Sequence, residues 1–472
     1  MKEKFSGKVK GVLRIFMVLL LVVPLMFVFT ACDSTSTTAE ILSIEKTGSS
    51  GLEDTYTITY SNGKQFSFTV TNGQNGTNGT NGTDGESLDI EEIYKTAKQN
   101  GYTGTFLDFL DAYLDLDYDA DAETKAINNA LLSAVSVYAN YTVTETNYFG
   151  GGSQDVDYTS AGSGVIYSLN KTDGDAYIIT NYHVIYAQES NDSDHISDDI
   201  SVYLYGYEDS DYTIPATFYG GSMTYDIAVL KVEDSDVLKE SDAKQVTVAD
   251  SNDISVGETA VAIGNPEMLG LSATSGIVSV DSEYITMESI DESGTSTHRV
   301  IRIDTAVNSG NSGGGLFNAD GELIGIVNAK NSSDEVDNIG YAIPSNIAVN
   351  VAQNIIDNGG ECEKVVLGIT LDSSNSKSVY NEDTGLTSLE EDVFIDTITA
   401  DSLAETLGFE TDDQIVSVII SGTELDVTRI FQVVDFMCTA RVGDSVTFTI
   451  LRDNVSQTIN FVVSQTDLQL YA

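Results

Sequence analysis

The sequence predicts a mainly β protein of several domains, and three observations carry that reading. The chain has 472 residues, room for about three domains of ~150 residues each. From about Ala126 onward it is written in many short β-type runs divided by clusters of Gly, Asn, Asp and Ser, the punctuation of barrels and sandwiches. Hydrophobic residues make up 41% and charged residues 20%, enough apolar surface for most of the chain to bury a core.

Charge excludes one class of partner. Against 73 Asp and Glu stand only 22 Lys and Arg, a net charge of −51, and such a field repels phosphate backbones, so nucleic acid is ruled out. A polypeptide substrate would be held by short-range contacts rather than steered by general attraction. Three cysteines build no disulfide framework.

Residues 1–31 read as an export leader: Lys2, Lys4, Lys8, Lys10 and Arg14 precede an apolar run over 15–29 that is short for a membrane span. The run ends Phe29-Thr30-Ala31-Cys32-Asp33, similar to a bacterial lipobox, in which Cys32 is lipidated and becomes the mature N-terminus. An ordinary cleaved signal beside a chance cysteine is the alternative, and either places the chain outside the cytoplasm. Residues 33–72 alternate as a small β module, with Ser61-Asn62-Gly63-Lys64 marking a hairpin between Tyr56–Tyr60 and Phe66–Val70. Glycine then recurs at every third position from Gly73 to Gly85 without proline, which suits a flexible linker over 73–87 better than a triple helix. Over 88–125 the pattern is short helices, with Ile90, Ile93 and Tyr94 on one face and Phe106, Phe109, Leu110 and Tyr113 on another, followed by an acidic linker. Asp115, Asp117, Asp119 and Asp121 alternate as in a calcium loop. Ala120 and Ala126, however, stand where that loop needs glycine and a bidentate glutamate, so no metal site is expected.

Three segments carry chemistry. Gly162-Ser163-Gly164-Val165-Ile166-Tyr167 precedes an apolar strand, Tyr177-Ile178-Ile179-Thr180, that delivers His183 at its end. The other histidines, His195 and His298, lie in polar stretches that read as exposed loops. Tyr225-Asp226-Ile227-Ala228-Val229-Leu230 sets a carboxylate directly before a second apolar strand. Asn308-Ser309-Gly310-Asn311-Ser312-Gly313-Gly314-Gly315 surrounds one serine with glycines, so that consecutive N–H groups can bend toward one spot beside its hydroxyl. Each segment alone has a plain structural reading. In the order His, Asp, Ser they match the chymotrypsin-type arrangement rather than the other known orders. His183 would then take the Ser312 proton, Asp226 would hold the imidazole, and the N–H groups of Gly310 and Ser312 would bind the oxyanion. That chemistry calls for no cofactor.

These segments resemble the HtrA/Deg serine proteases, as do Ala262-Ile263-Gly264-Asn265-Pro266, Ser275-Gly276-Ile277-Val278-Ser279 and Ile339-Gly340-Tyr341-Ala342-Ile343-Pro344. The resemblance covers 126–357. It implies a chymotrypsin-like double β-barrel and ATP-independent cleavage of unfolded or damaged proteins, with a small aliphatic residue before the scissile bond. It also implies that Ala306, Val307, Tyr341 and Ala342 face the substrate. Residues 363–472 are similar to the α/β PDZ domain that follows the protease in this family. Val366-Leu367-Gly368-Ile369 corresponds there to the loop that receives a peptide C-terminus, the peptide adding a strand beside it. Leu403 replaces the usual proline, and Asp412-Asp413-Gln414-Ile415 stands for the usual Gly-Asp-x-Ile. A helix is expected over 428–440. Cys362 and Cys438 either pair or remain two buried thiols. Family membership further implies a homotrimer, and the lipobox with an acidic, proline-poor composition looks Gram-positive. The rival class is a non-catalytic chaperone or sensor that uses the PDZ groove on a protease-like scaffold.

Overall fold

The computed structural model describes residues 41–50, 53–60, 63–71, 98, 122–147, 152–207, 209–330, 339–382 and 384–471. The leader, Cys32, the glycine-repeat linker and, apart from Lys98, the helices and acidic stretch expected before Ala122 lie outside them. Among the described residues no helix is long and apolar enough to cross a membrane. The chain divides into two compact units, residues 1–118 and 119–472.

The first unit holds a three-stranded antiparallel sheet in the order β1 (Ile41–Ser50), β2 (Glu53–Tyr60), β3 (Gln65–Thr71). Its hairpin sets Tyr56 opposite Phe68, and their rings stack at 5.8 Å, the cross-strand pairing that stabilises a small sheet.

The second unit opens with α1 (Ala122–Ala130), which runs across the domain boundary expected at residue 126 because Ala130 is already buried in the shared core. Six strands follow: β4 (Ala134–Asn147), β5 (Gly152–Asn170), β6 (Asp175–Thr180), β7 (Asp199–Leu204), β8 (Ile214–Ser222) and β9 (Ile227–Val232). They close into a barrel in the order β4-β5-β6-β9-β8-β7. After α2 (Asp236–Glu240), the strands β10 (Thr259–Gly264), β11 (Ser272–Glu288), β12 (Thr295–Ile303), β13 (Gly315–Phe317), β14 (Leu323–Lys330) and β15 (Gly340–Pro344) close a second barrel, β10-β11-β12-β15-β14-β13. Helix α3 (Ser345–Asp357) then lays Ile347, Ala348, Val351, Ala352 and Ile355 along one face, the stripe of an amphipathic helix.

Two kinds of core explain why some strands are apolar throughout. Inside the first barrel lie Ile178, Ala228 and Leu230. Between the barrels, under α3, a separate cluster takes Ile179, Ile227 and Val229 together with Phe317, Leu323 and Ile326. Strands β6 and β9 are therefore buried on both faces, which replaces the alternation of a one-sided strand with a continuous apolar run.

The remaining strands are β16 (Glu363–Val365), β17 (Ile369–Tyr380), β18 (Thr387–Ile398), β19 (Gln414–Ile420), β20 (Thr423–Asp426), β21 (Ser445–Arg452), β22 (Val455–Val462) and β23 (Leu468–Leu470), with helices α4 (Leu403–Leu407) and α5 (Ile430–Met437). They form a sheet ordered β17-β18-β19-β21-β22 with β20 beside β19, plus the pair β16-β23. Helix α5 is shorter than the expected 428–440, because Gln432 Oε1 accepts the N–H groups of Thr428 and Arg429 and sets the helix start after them.

Charge fastens this C-terminal part to the second barrel. Arg299 on β12 pairs with Asp435 on α5, both side chains only 3% exposed, and Arg429 pairs with Asp281. His298 shares this junction. The exposed loop expected for it is replaced by buried strand, because β12 continues into the hairpin with β11; a cavity of about 200 Å³ lies between it and Val434 and Asp435 of α5, and Ser296 Oγ meets its Nε2 at 2.6 Å. Cys362 and Cys438 are both buried free thiols. Arg299→Ala should strand the Asp435 charge and cost about 3–5 kcal/mol in thermal or denaturant unfolding, most of it recovered by Arg299→Met with Asp435→Leu. A single variant as stable as the double would show that the pair contributes nothing to docking.

Candidate active site

Antiparallel pairing assembles the first half of the site. Thr180, the last residue of β6, lies opposite Ala228 near the start of β9. Residues just after one strand and just before the other must therefore meet at the same barrel end. His183 sits there in a short 3-10 turn, Tyr182–Val184, and Asp226 takes a left-handed conformation at φ 51°, tolerable for aspartate and typical of a constrained site.

Asp226 is 4% exposed, and every oxygen it presents to the turn is used. Its Oδ1 accepts the His183 backbone N–H at 3.0 Å, and its Oδ2 accepts His183 Nδ1–H at 2.7 Å and Asn328 Nδ2–H at 2.6 Å. The Asp226 carbonyl accepts from Asn181 Nδ2 at 2.8 Å. With Nδ1 engaged, Nε2 is the ring nitrogen left without a partner among the described residues. Desolvation by the surrounding walls pulls the His183 pKa down, but the charge and hydrogen bond of Asp226 outweigh it and the pKa is raised.

The second half is the turn before β13. Gly310 and Gly313 take φ 95° and 82°. Side chains are excluded at both: a Cβ on Gly310 would fall 2.1 Å from the Asn265 carbonyl, and one on Gly313 would fall 2.2 Å from the Ser163 carbonyl. The Ser309 carbonyl accepts the Glu267 N–H at 2.9 Å. Across a trans peptide the next N–H points the opposite way, so that of Gly310 points away from Glu267. Neither the Gly310 nor the Ser312 N–H has an acceptor among the described residues.

Ser312 Oγ donates to the Asn328 carbonyl at 3.0 Å. Asn328 thus touches Ser312 with its backbone and Asp226 with its side chain, joining the two halves. Sequence reasoning missed it; the available signal was a lone asparagine directly after the apolar run Leu323-Ile324-Gly325-Ile326-Val327. Of the residues expected to face a substrate, Ala306 is exposed and Tyr341 half-buried, whereas Val307 and Ala342 turn their side chains into the core of the second barrel. His195 stays away from the site, half-buried in a loop with its ring edge-on to Tyr186.

A groove runs between β17, an edge strand, and α5. It encloses about 270 Å³ and is lined by Val366, Leu367, Gly368, Ile369, Leu371 and Met437, among others. The N–H groups of Leu367 and Gly368 find no acceptor among the described residues.

Residues 162–326 match the model of the trypsin-like peptidase domain family. The serine protease Do-like HtrA of Bacillus subtilis is 33% identical over 68% of this chain and 68% of its own length. The protein of the same name from Lactococcus lactis subsp. cremoris is 31% identical over 76% of this chain and 85% of its own. Among solved structures, the HtrA-type protease AlgW with decapeptide is similar at 25% identity and a TM-score of 0.46, over 72% of this chain and 98% of that one. If the Asp226 charge governs His183, NMR titration of its ring should give a midpoint above the ordinary 6.5, and Asp226→Asn should lower it. A native midpoint at or below that value would contradict this electrostatic balance.

Proposed function

The chain belongs to the HtrA/Deg family and is a serine endopeptidase of trypsin-like fold; on that premise we propose that it is exported, held at the membrane by lipidated Cys32, and degrades unfolded or damaged polypeptides without ATP. The observation that carries the catalytic reading is the contact of His183 Nδ1 with Asp226, joined through Asn328 to Ser312, where the N–H groups of Gly310 and Ser312 have no acceptor among the described residues. Residues 126–357, with α1 in front, form the protease domain, residues 363–472 a PDZ domain, and 33–125 a spacer.

In this mechanism Asp226 fixes the proton of neutral His183 on Nδ1 and leaves Nε2 to accept one. The Ser312 hydroxyl exchanges the Asn328 carbonyl for Nε2 as its oxygen attacks the scissile carbonyl. Negative charge then develops on the carbonyl oxygen and meets the N–H groups of Gly310 and Ser312, an interaction for which removing one donor costs about 3–4 kcal/mol. The imidazolium, steadied by Asp226, returns its proton to the leaving amine. Water repeats the sequence to release the acyl group. No step needs a cofactor.

Two features support peptide binding by the C-terminal domain. Among the described residues β17 is an edge strand able to accept an added strand, and the N–H groups of Leu367 and Gly368 have no acceptor there, which suits a terminal carboxylate. Assembly as a homotrimer follows the family. The leader pattern and Cys32 support an extracytoplasmic, lipid-anchored location, of the Gram-positive kind.

The purified protein should cleave unfolded casein, and Ser312→Ala should lower kcat by roughly a millionfold while leaving the unfolding transition in place. Equal behaviour of the two would leave the non-catalytic chaperone reading. Because His183 acts only when neutral, kcat/KM should fall as pH drops through its raised pKa, with an acid limb centred above 6.5. Asp226→Asn should cut kcat roughly ten-thousandfold. An acid limb well below 6.5 would assign the base to another group.

A further inference from the structure

Gly162-Ser163-Gly164 stands out in the sequence, yet the mechanism above gives Ser163 no task. The residue is wholly buried on β5. There is room for the strand to press against the nucleophile turn only because its neighbour is small: a Cβ on Gly162 would fall 2.6 Å from Val184 and 3.0 Å from the Ser312 carbonyl.

Each carbonyl of the turn from 309 to 312 is held by a donor. Ser309 O accepts Glu267 N–H at 2.9 Å, Asn311 O accepts Gly314 N–H at 3.0 Å, and Ser312 O accepts Ser163 N–H at 2.8 Å. Gly310 O accepts the Ser163 hydroxyl at 2.7 Å. Three of these donors are backbone and would survive any substitution that keeps the fold. The fourth is a side chain, and the same hydroxyl accepts Asn265 N–H at 2.8 Å. The Ser163 carbonyl in turn accepts Thr180 Oγ1–H at 2.7 Å, at the end of the strand that leads to His183.

We propose that Ser163 is a positioning residue for the oxyanion site: its hydroxyl holds the Gly310 carbonyl so that the N–H groups of Gly310 and Ser312 converge on one point. Gly310 has the conformational freedom of a glycine at φ 95°, and the plane between it and Asn311 is held at two points, by the Asn311 N–H on the Asn308 carbonyl at 3.0 Å and by the Ser163 hydroxyl on the Gly310 carbonyl, of which the second is the tie to the first barrel. Ser163 touches no substrate atom. It acts by keeping two donors preorganised, the condition under which they stabilise developing charge without reorganising.

The inference rests on the endopeptidase reading and deepens it. In the full chain, Ser163→Ala should lower kcat for a peptide anilide by on the order of 10- to 100-fold, the scale of an ångström's misplacement, with KM within about twofold. Affinity for a peptide aldehyde, whose tetrahedral adduct on Ser312 places an oxyanion in the site, should fall by the same factor. Affinity for the matching product peptide, which needs no oxyanion, should not. Ser163→Cys, similar in shape but a weaker donor, should lie between wild type and alanine in both kcat and aldehyde affinity, and it decides the matter if alanine fails to fold. An unchanged kcat, a change in KM alone, or a fall in kcat with aldehyde affinity intact would overturn the assignment while the protease reading stands. An inactive wild type would instead defeat the reading beneath it.

Discussion

The antiparallel match of β6 with β9 is the constraint on which the site depends. Thr180 opposite Ala228 brings the residue that leaves one strand beside the residue that enters the other, so His183 and Asp226 meet without any long-range search by flexible loops. Burial makes the match rigid. Ile178 and Leu230 fill the first barrel while Ile179 and Val229 fill the space between barrels, and a slip of one residue would exchange those two sets and break both cores. The geometry of the imidazole and carboxylate is thus a by-product of packing on both sides of two strands. Each fully buried side chain in those cores adds about 1.5–3 kcal/mol to the cost of disturbing it.

The second barrel answers the first across this interface. Its turn around Ser312 is short of side chains and rich in glycine, so it has little intrinsic preference for one shape. Its internal bonds, Asn311 N–H on the Asn308 carbonyl and Gly314 N–H on the Asn311 carbonyl, are joined by ties from outside, through Glu267 from the β10–β11 connection and Ser163 from the first barrel. Asn328 completes the join by serving Ser312 with its carbonyl and Asp226 with its amide. Two separately closed barrels therefore share one polar seam, crossed by Asn328 on Asp226, by the Ser163 N–H and hydroxyl on the Ser312 and Gly310 carbonyls, and by the Asn265 N–H on Ser163. Electrostatics at the C-terminal junction follow a different logic. The Arg299–Asp435 pair is buried and, among the described residues, leaves Arg299 Nη2 and Asp435 Oδ1 without hydrogen-bond partners. Such a pair fixes orientation more than it adds stability, since desolvation offsets much of its attraction.

The legible part of the sequence was the part governed by local rules. His183, Asp226 and Ser312 were marked by strand-end placement, glycine flanks and their order, and the apolar runs around them announced strands buried on two faces. Asn328 was not legible, because its role depends on a barrel closure that sets β14 beside residues from another barrel. His298 was misread for the same reason: Thr295-Ser296-Thr297 is polar as a string, but the stretch is strand β12 paired with β11, and His298 is buried there beside Arg299, whose partner is on α5. Ser163 was visible only as part of a glycine-flanked motif, which reads locally as flexibility and turns out to mean close approach. Helix α5 was found but overextended, its start being set by one glutamine side chain rather than by periodicity.

Reaction with a fluorophosphonate probes the assembled seam as a unit, since phosphonylation needs a nucleophilic oxygen, a base to accept its proton and donors for the phosphoryl oxygen. The account predicts one adduct per folded chain, mapped by mass spectrometry to Ser312 and absent from denatured protein. No adduct on folded, monodisperse protein, or an adduct at another serine, would contradict it.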